Sequence, residues 1–340
     1  MNHDEAAKII DGFQDSRIAV VGDFMLDRYI SGEAVRISPE APVPVVRVNE
    51  TRAVPGGAAN VVHNISTLGA RAFAFGMVGD DDAGKTLREL LASLGVETSG
   101  LQSAVGTKTI EKTRVLAGNQ QIVRIDREDL LPPPDEVIQA IVSSIENQIL
   151  GDGLDAIIIE DYYKGLINES LVNTIVRTAE QHEVMTALDP HPGNRMALNG
   201  ITLMTPNRQE AFALAGAYLS DPILPVENDR ALNDVAKTLH EMYSPKYLLI
   251  TLGAQGMMLF RDGIPPFHIG TRAQEVFDVS GAGDTVISSF VLMLISGASP
   301  EDASEVANHA AGTVVRKVGT QPAIASELLE SFTDGGTTVD

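Results

Sequence analysis

The chain reads as an α/β protein with a mostly parallel central sheet and a small second sheet beside it. Three observations predict this. Short β-rich apolar runs alternate with amphipathic stretches of helical period, the pattern of repeated βαβ units. The runs end on turn-forming residues such as Gly22-Asp23, and the helical stretches are stopped by glycines such as Gly69 and Gly95. Two segments rich in proline or in hairpin signals break the alternation.

In order, strand 17–21 leads to helix 58–68, strand 72–78 to helix 83–94, and strand 156–159 to helix 169–182. Strands follow at 184–188, 201–204 and 247–251, with helices at 208–215 and 231–242 among them. The apolar run 286–295 continues a helix that opens at the glycines before it. The interrupting segments are 29–52, with Pro39, Pro42 and Pro44, and 107–126, two β-runs around Ala117-Gly118-Asn119. Together they predict a small sheet serving as a lid, with an edge extension of the main sheet as the alternative. Residues 1–330 are expected to form one domain, Leu130-Leu131-Pro132-Pro133-Pro134 a stiff linker, and 331–340 a frayed tail.

Composition narrows the function. A chain of 340 residues, 44% of them hydrophobic, has material for a sizeable core. With no cysteine, disulfides, thiolate metal sites and cysteine nucleophiles are excluded. The formal net charge of −21 argues against general binding to nucleic acid or anionic membranes. It leaves room for a small anionic substrate held by a local basic cluster. The opening residues do not read as a signal peptide, and 286–295 is too short to span a bilayer, so the expected location is the cytoplasm.

The stretch carrying most chemistry is Asp278-Val279-Ser280-Gly281-Ala282-Gly283-Asp284-Thr285. Bare N–H groups at a helix start attract anions, and glycine lets a phosphate approach. Asp284 is then a carboxylate beside an anion site, suited to take a proton from a hydroxyl attacking a phosphoryl group. The competing interpretation is a Gly-rich turn with Asp284 as a cap.

Four further groups fall near strand ends, where sites in such sheets lie. Asp27, just past the end of the first strand, could bind sugar hydroxyls or be a solvated loop acid. Gly56 and Gly57, before a helix that starts with Asn60 in its first turn, would let backbone touch a ligand, or mark only a turn. Asn207 and Glu210 fit a capping box, and Glu210 alternatively helps hold a hydrated Mg²⁺. The turn Thr251-Leu252-Gly253-Ala254-Gln255-Gly256 could lie against a nucleotide or simply join two strands. Arg36, Arg47, Lys112, Arg114 and Arg124 cluster in the lid segments, where they could clasp an anionic sugar phosphate or sit on solvated faces. No Walker A sequence is present.

Taken in order, Gly56-Gly57 to Asn60, Asn207 to Glu210, and Asp278 to Asp284 resemble the ribokinase-like, or PfkB, sugar kinase family over about residues 17–325. That resemblance implies a three-layer sandwich whose central, mostly parallel sheet carries a small β-sheet lid. Within the family the chain is most similar to the D-glycero-β-D-manno-heptose 7-phosphate kinases. The residues carrying this are 22–29, 36–45, Asn119-Gln120-Gln121 with 124–126, 161–165, and Thr205-Pro206-Asn207.

The resemblance implies Asp284 as catalytic base and Gly281, Ala282 and Gly283 as the anion hole. Asp27, Gly56, Gly57, Asn60, Asp161 and Lys164 would meet the sugar. Arg36, Lys112, Arg114, Asn119, Gln120 and Arg124 would surround its 7-phosphate. Asn207, Thr251, Gly253, Gly256 and Asn308 would line ATP, with Glu210 on Mg²⁺ through water. Asp278 and Val279, with the loop 317–319, would resemble the family's site for a monovalent cation, K⁺.

Two departures stand out. Asp189-Pro190-His191 replaces the usual Asp-Pro-Lys of the heptose kinases, and no adenylyltransferase half is legible after the kinase. The expected activity is ATP-dependent phosphorylation of the anomeric hydroxyl of heptose 7-phosphate. The alternatives are a family kinase for ribose, fructose 6-phosphate or a keto-deoxy sugar acid, and an inactive sugar- or nucleotide-binding regulator. A homodimer paired through the lids is the expected assembly.

Overall fold

The computed structural model describes residues 1–333 apart from 105, 119, 129–131, 274–275 and 318. The strands are β1 (Arg17–Gly22), β2 (Phe24–Ile37), β3 (Pro44–Gly57), β4 (Arg71–Gly79), β5 (Leu101–Ala104), β6 (Ile110–Ala117), β7 (Gln120–Arg127), β8 (Ala156–Glu160), β9 (Met185–Asp189), β10 (Leu203–Met204), β11 (Tyr247–Thr251), β12 (Met257–Arg261) and β13 (Ile264–Ile269). The helices are α1 (His3–Ile10), α2 (Ala58–Thr67), α3 (Asp82–Ser93), α4 (Asp135–Leu150), α5 (Glu169–Gln181), α6 (Arg208–Ala215), α7 (Arg230–Tyr243), α8 (Ala282–Ile295), α9 (Pro300–Val314) and α10 (Ala325–Glu330).

Nine strands form the main sheet in the order β13-β12-β11-β10-β9-β8-β1-β4-β5. Strands β5 through β11 in that order are mutually parallel, and β12 and β13 return antiparallel at one edge. The central strands are buried on both faces, as a parallel sheet covered by helices requires. Alternate residues divide between two cores. Ile18, Val20 and Ile158 join one with Val61, Ile65, Phe290 and Ala307 from α2, α8 and α9. Ala19, Val21 and Ile157 join the other with Ile141, Leu171, Phe212 and Leu239 from α4 to α7. The strand period of two thus generates the three layers. Helix α8 lies so deep that every residue from 284 to 293 is buried.

The second sheet has the order β3-β2-β6-β7 and is separate from the main one, which answers the edge-extension alternative. Only Asp23 separates β1 from β2, and β3 runs directly into α2. One sheet therefore hands the chain to the other at the carboxyl ends of the main strands. Asp27 lies inside β2 opposite Val54 and Lys112 and is buried, which removes the alternative of a solvated loop acid. The same path makes Gly56 and Gly57 the end of a long strand, not an isolated turn. The hairpin between β6 and β7 is present; Asn119, part of the linker and residues 334–340 of the tail lie outside the described residues. Helices α1, α4, α9 and α10 are additions to the sequence reading. In α4 the buried Val137, Ile141, Ile145 and Ile149 recur every four residues, a legible signal.

Candidate active site

The carboxyl ends of β1, β8, β9, β10 and β11 open onto a crevice, with the second sheet on one side and the start of α8 above. Gly281 is the cap of α8, in the left-handed region at φ +80°. A side chain there would bring a Cβ within 2.6 Å of Asn60 Nδ2, so glycine is what lets α2 lean against α8. Ala282, Gly283 and Asp284 form the first turn. The Ala282 N–H donates to the Val279 carbonyl at 3.2 Å.

Asp284 is 6% exposed. Asn60 Nδ2 donates to its Oδ2 at 2.7 Å and the Tyr162 hydroxyl to its Oδ1 at 2.6 Å. Burial pushes its carboxyl up, and the bonds from Tyr162 and Asn60 work against that. A second bond holds the same two helices one residue further on, braced by another within α2. Thr285 Oγ1 donates to Asn64 Oδ1 at 3.0 Å, and Asn64 Nδ2 donates to the Asn60 carbonyl at 2.9 Å.

Carboxylates crowd the strand ends. One oxygen each from Glu160, Asp189 and Asp284 lie within 4.8 Å of one another. Burial and the neighbouring acids hold Glu160 and Asp189 well above the usual carboxylate range. Asp23, buried, accepts the Tyr162 and Lys164 N–H groups at 3.1 and 3.0 Å. The oxygens of Asp161 receive Tyr163 N and Asn194 Nδ2, so this acid shapes the loop after β8. Lys164 reaches Glu128 at 2.6 Å and ties that loop to the end of β7.

On the second sheet, Asp27 is buried 3.1 Å from Arg114. Its carboxyl is raised by burial against the pull of Arg114 and Lys112. A Cβ at Gly56 would come 2.8 Å from its Cγ, so the glycine makes room for the acid. Arg114 and Arg52 lie over the Tyr29 ring at 5.3 and 4.7 Å, and Lys112 Nζ is 5.9 Å from the Tyr162 ring. Asp27, Lys112, Arg114, Tyr162, Asn60 and Asp284 are therefore brought together. Arg36 and Gln120 are exposed on the sheet's outer reaches, and Arg124 is bound to Asp126 by two bonds of 2.9 Å.

On the other side, Asn207 forms a β-bridge with Thr251, and the Thr251 N–H donates to the Pro206 carbonyl. Asn207 and Glu210 make a full capping box at the head of α6. Burial raises the Glu210 carboxyl all the same. Leu252 to Gly256 is the hairpin between β11 and β12, with Gly253 at its tip. Gly256 packs so tightly on β13 that a Cβ would overlap the Ile269 carbonyl. Asn308 Nδ2 donates to the Gly270 carbonyl at 2.7 Å, drawing α9 against the same turn. Asp278 accepts Ser280 N at 2.9 Å and Gly319 N at 3.0 Å, joining it to the loop after α9; Val279 is exposed. His191 stacks on Tyr163 with rings 5.1 Å apart, and its Nδ1 accepts Gly193 N.

Sequence reasoning missed Tyr162, Arg52, Glu160 and Asp189 as members of this crevice. The acids had a usable signal, since each is the last residue of a parallel strand.

Comparison with known proteins gives the family and the fold. The model of the pfkB family carbohydrate kinases matches residues 15–327. The "Bifunctional protein HldE" of Desulfatibacillum aliphaticivorans is 42% identical over 322 residues, 95% of this chain and 64% of that protein. The protein of that name from Gluconobacter oxydans (strain 621H) is 39% identical over 336 residues, 97% and 68% respectively. The chain thus spans about two thirds of these relatives. Among solved structures, Escherichia coli phosphofructokinase-2 in complex with potassium superposes with a TM-score of 0.74 at 19% identity, covering 94% of this chain and 98% of that one. Arabidopsis thaliana ribokinase complexed with ribose and ATP gives 0.69 at 21%, covering 93% and 98%. These two establish a ribokinase-like fold.

The buried acids set a pH dependence. Asp23 and Asp161 are each pushed up to about 6, by burial first. The folded chain then binds more protons than the unfolded one between the ordinary value of 3.8 and about 6, so stability falls as pH rises through that window. In chelator, the melting temperature should be higher near pH 5 than at about pH 7.5, and Asp23→Asn should flatten the difference. Circular dichroism melts check this, and a midpoint that climbs toward neutral pH would contradict it.

Proposed function

Since the chain belongs to the pfkB family of carbohydrate kinases, we propose that it transfers the terminal phosphoryl group of ATP to the anomeric hydroxyl of a heptose 7-phosphate. The observation that carries this is the meeting of Asp284 at the head of α8 with the basic group Lys112 and Arg114 across Tyr162. One end of the crevice can activate a hydroxyl and the other can hold a phosphate. The relatives named HldE support a heptose as the acceptor.

In this reading the acceptor hydroxyl gives its proton to Asp284 as its oxygen bonds to the γ-phosphorus and the bond to the ADP oxygen breaks. The first-turn amides of Gly281 and Gly283 donate to the charge that develops, whereas the Ala282 N–H, expected to share in this, is engaged with the Val279 carbonyl. A preorganised donor of this kind is typically worth about 3–4 kcal/mol. Asn60 and Tyr162 hold the base, and Asp27 takes a sugar hydroxyl. Thr251, Gly253, Gly256 and Asn308 border the nucleotide. Glu210, desolvated beside Asp189 and answered by no cation within ion-pair distance among the described residues, fits a hydrated Mg²⁺. When bound, Mg²⁺ neutralises phosphate charge. Asp278 and the Val279 carbonyl are the candidates for K⁺. The second sheet acts as the lid, and the reaction is assigned to the cytoplasm, where ATP is supplied.

His191 favours a second reading, a family kinase for another sugar or sugar phosphate. An imidazole ring stacked on Tyr163 stands where the heptose kinases usually have the flexible chain of a lysine.

An acceptor panel with ATP tests both. Heptose 7-phosphate should outperform ribose and fructose 6-phosphate, and Arg114→Ala should raise its KM roughly tenfold to a hundredfold, the weight of a charge-assisted bond. Asp284→Asn should lower kcat by about a thousandfold with nucleotide affinity retained. Preference for an unphosphorylated sugar would remove the role of the basic group.

Exposed Val35, Ile37, Val43, Val48, Val123 and Ile125 lie on or beside the second sheet. By alternation Val123 and Ile125 point away from Lys112 and Arg114. A second copy of the chain is the proposed cover, and light scattering should return the mass of a dimer, falling to that of a monomer in Ile125→Glu.

A further inference from the structure

Both oxygens of Asp284 are already taken. Asn60 donates to Oδ2 and the Tyr162 hydroxyl to Oδ1, and little of the carboxyl is otherwise open. An acceptor hydroxyl must come within hydrogen-bond reach of the base that takes its proton. On so closed a carboxyl it gains that place by replacing one of the two donors.

The two donors are not equally fixed. Asn60 is buried in α2, its Nδ2 backs onto Gly281, and the Asn64–Thr285 bond clasps its helix to α8. Tyr162 stands in the loop after β8 and is only half-buried. Its neighbour Tyr163 has φ +56°, a left-handed backbone that a residue with a Cβ adopts under strain. The same loop is tied to the second sheet. Lys164 pairs with Glu128, just past β7, at 2.6 Å, and Lys112 of β6 lies 5.9 Å from the Tyr162 ring. An anion bound by Lys112 competes with that ring for the cation. Tyr162 is therefore the donor that a substrate under the second sheet can move.

The hydroxyl also has the right chemistry. Burial and the surrounding carboxylates hold it well above the usual tyrosine range, so it stays protonated and donates. It offers Asp284 what an alcohol offers, one O–H at 2.6 Å.

We propose that the Tyr162 hydroxyl is a displaceable stand-in for the acceptor's, a positioning residue that occupies Asp284 until a sugar hydroxyl takes its place. This rests on the kinase reading above. Water that reached a free Asp284 could give it a proton and bond to the γ-phosphorus as the bond to the ADP oxygen breaks, releasing ADP and inorganic phosphate with no sugar phosphorylated. The Tyr162 bond denies water that place. When the sugar arrives its hydroxyl inherits the bond, so the buried carboxylate keeps a second donor throughout.

Tyr162→Phe keeps the ring and removes the hydroxyl. Phosphate release from ATP with no acceptor present should rise about tenfold or more over wild type. The KM for the acceptor that the panel selects, heptose 7-phosphate in the reading above, should fall about threefold, with kcat for transfer held within about threefold. A fixed brace for the base gives the opposite result, a lower kcat with no gain in hydrolysis, and that would overturn the proposal. Tyrosine emission adds a readout without turnover. The chain has six tyrosines and no tryptophan, and a carboxylate hydrogen-bonded to a phenol quenches its emission. Adding the acceptor without nucleotide should brighten wild type and leave Tyr162→Phe unchanged. Equal responses would overturn the proposal, and if the variant fails to fold, wild type that does not brighten does so alone. Wild type that phosphorylates no sugar in the panel removes the kinase reading and this proposal with it. A working kinase whose Tyr162→Phe variant behaves like wild type removes only the proposal.

Discussion

A carboxylate at the head of a buried helix is hard to keep, and the bond from Asn60 to Asp284 is what the rest of the crevice depends on. Helix α8 is apolar on all sides and can be accommodated only between the sheet, α2 and α9. That depth carries Asp284 out of water. Each hydrogen bond to such a charged group contributes roughly 1.5–3 kcal/mol, so the Asn60 and Tyr162 donors together offset a substantial part of the desolvation. The close approach needs Gly281 against Asn60, and the Asn64–Thr285 pair repeats the clasp a residue later. Packing of the helix and placement of the acid are thus one problem with one solution.

The crevice is divided electrostatically by the two sheets. Strand ends of the main sheet supply Glu160, Asp161 and Asp189, while the second sheet supplies Lys112, Arg114 and Arg52. In a chain of net charge −21, this basic group is a local exception to the global field. Arg52 and Arg114 on Tyr29, and Arg114 on Asp27, keep those cations in fixed places. An anion entering here meets positive charge already ordered, and loses less entropy in being held.

Much of this was legible in the sequence because it is local. The parallel strands announced themselves by apolar runs with turns behind them, and helices such as 208–215 fell where propensity and caps placed them. The glycine-rich start of α8 was legible for the same reason. What could not be read was long-range. Tyr162 reaches Asp284 across 122 positions, and nothing near Tyr162 advertises that contact. Asp27 looked like a loop acid because one residue, Asp23, is all that separates two strands of different sheets. The capping box at Asn207 and Glu210 shows a related limit: the local signal was right, and it did not preclude the Glu210 charge from acting on Asp189 in the crevice.

Strands β2 and β3 are each 14 residues long and rooted at the crevice through Asp23 and Gly57. Near that root the Tyr29 hydroxyl accepts the Thr320 N–H at 3.3 Å. At about 3.3 Å per residue the pair reaches roughly 46 Å, so a tilt of about 5° at its foot sweeps the far end through about 4 Å. The sheet is a long beam on a short foot: a modest rearrangement among buried side chains there would become large travel at the rim, where Arg36 and Pro44 sit.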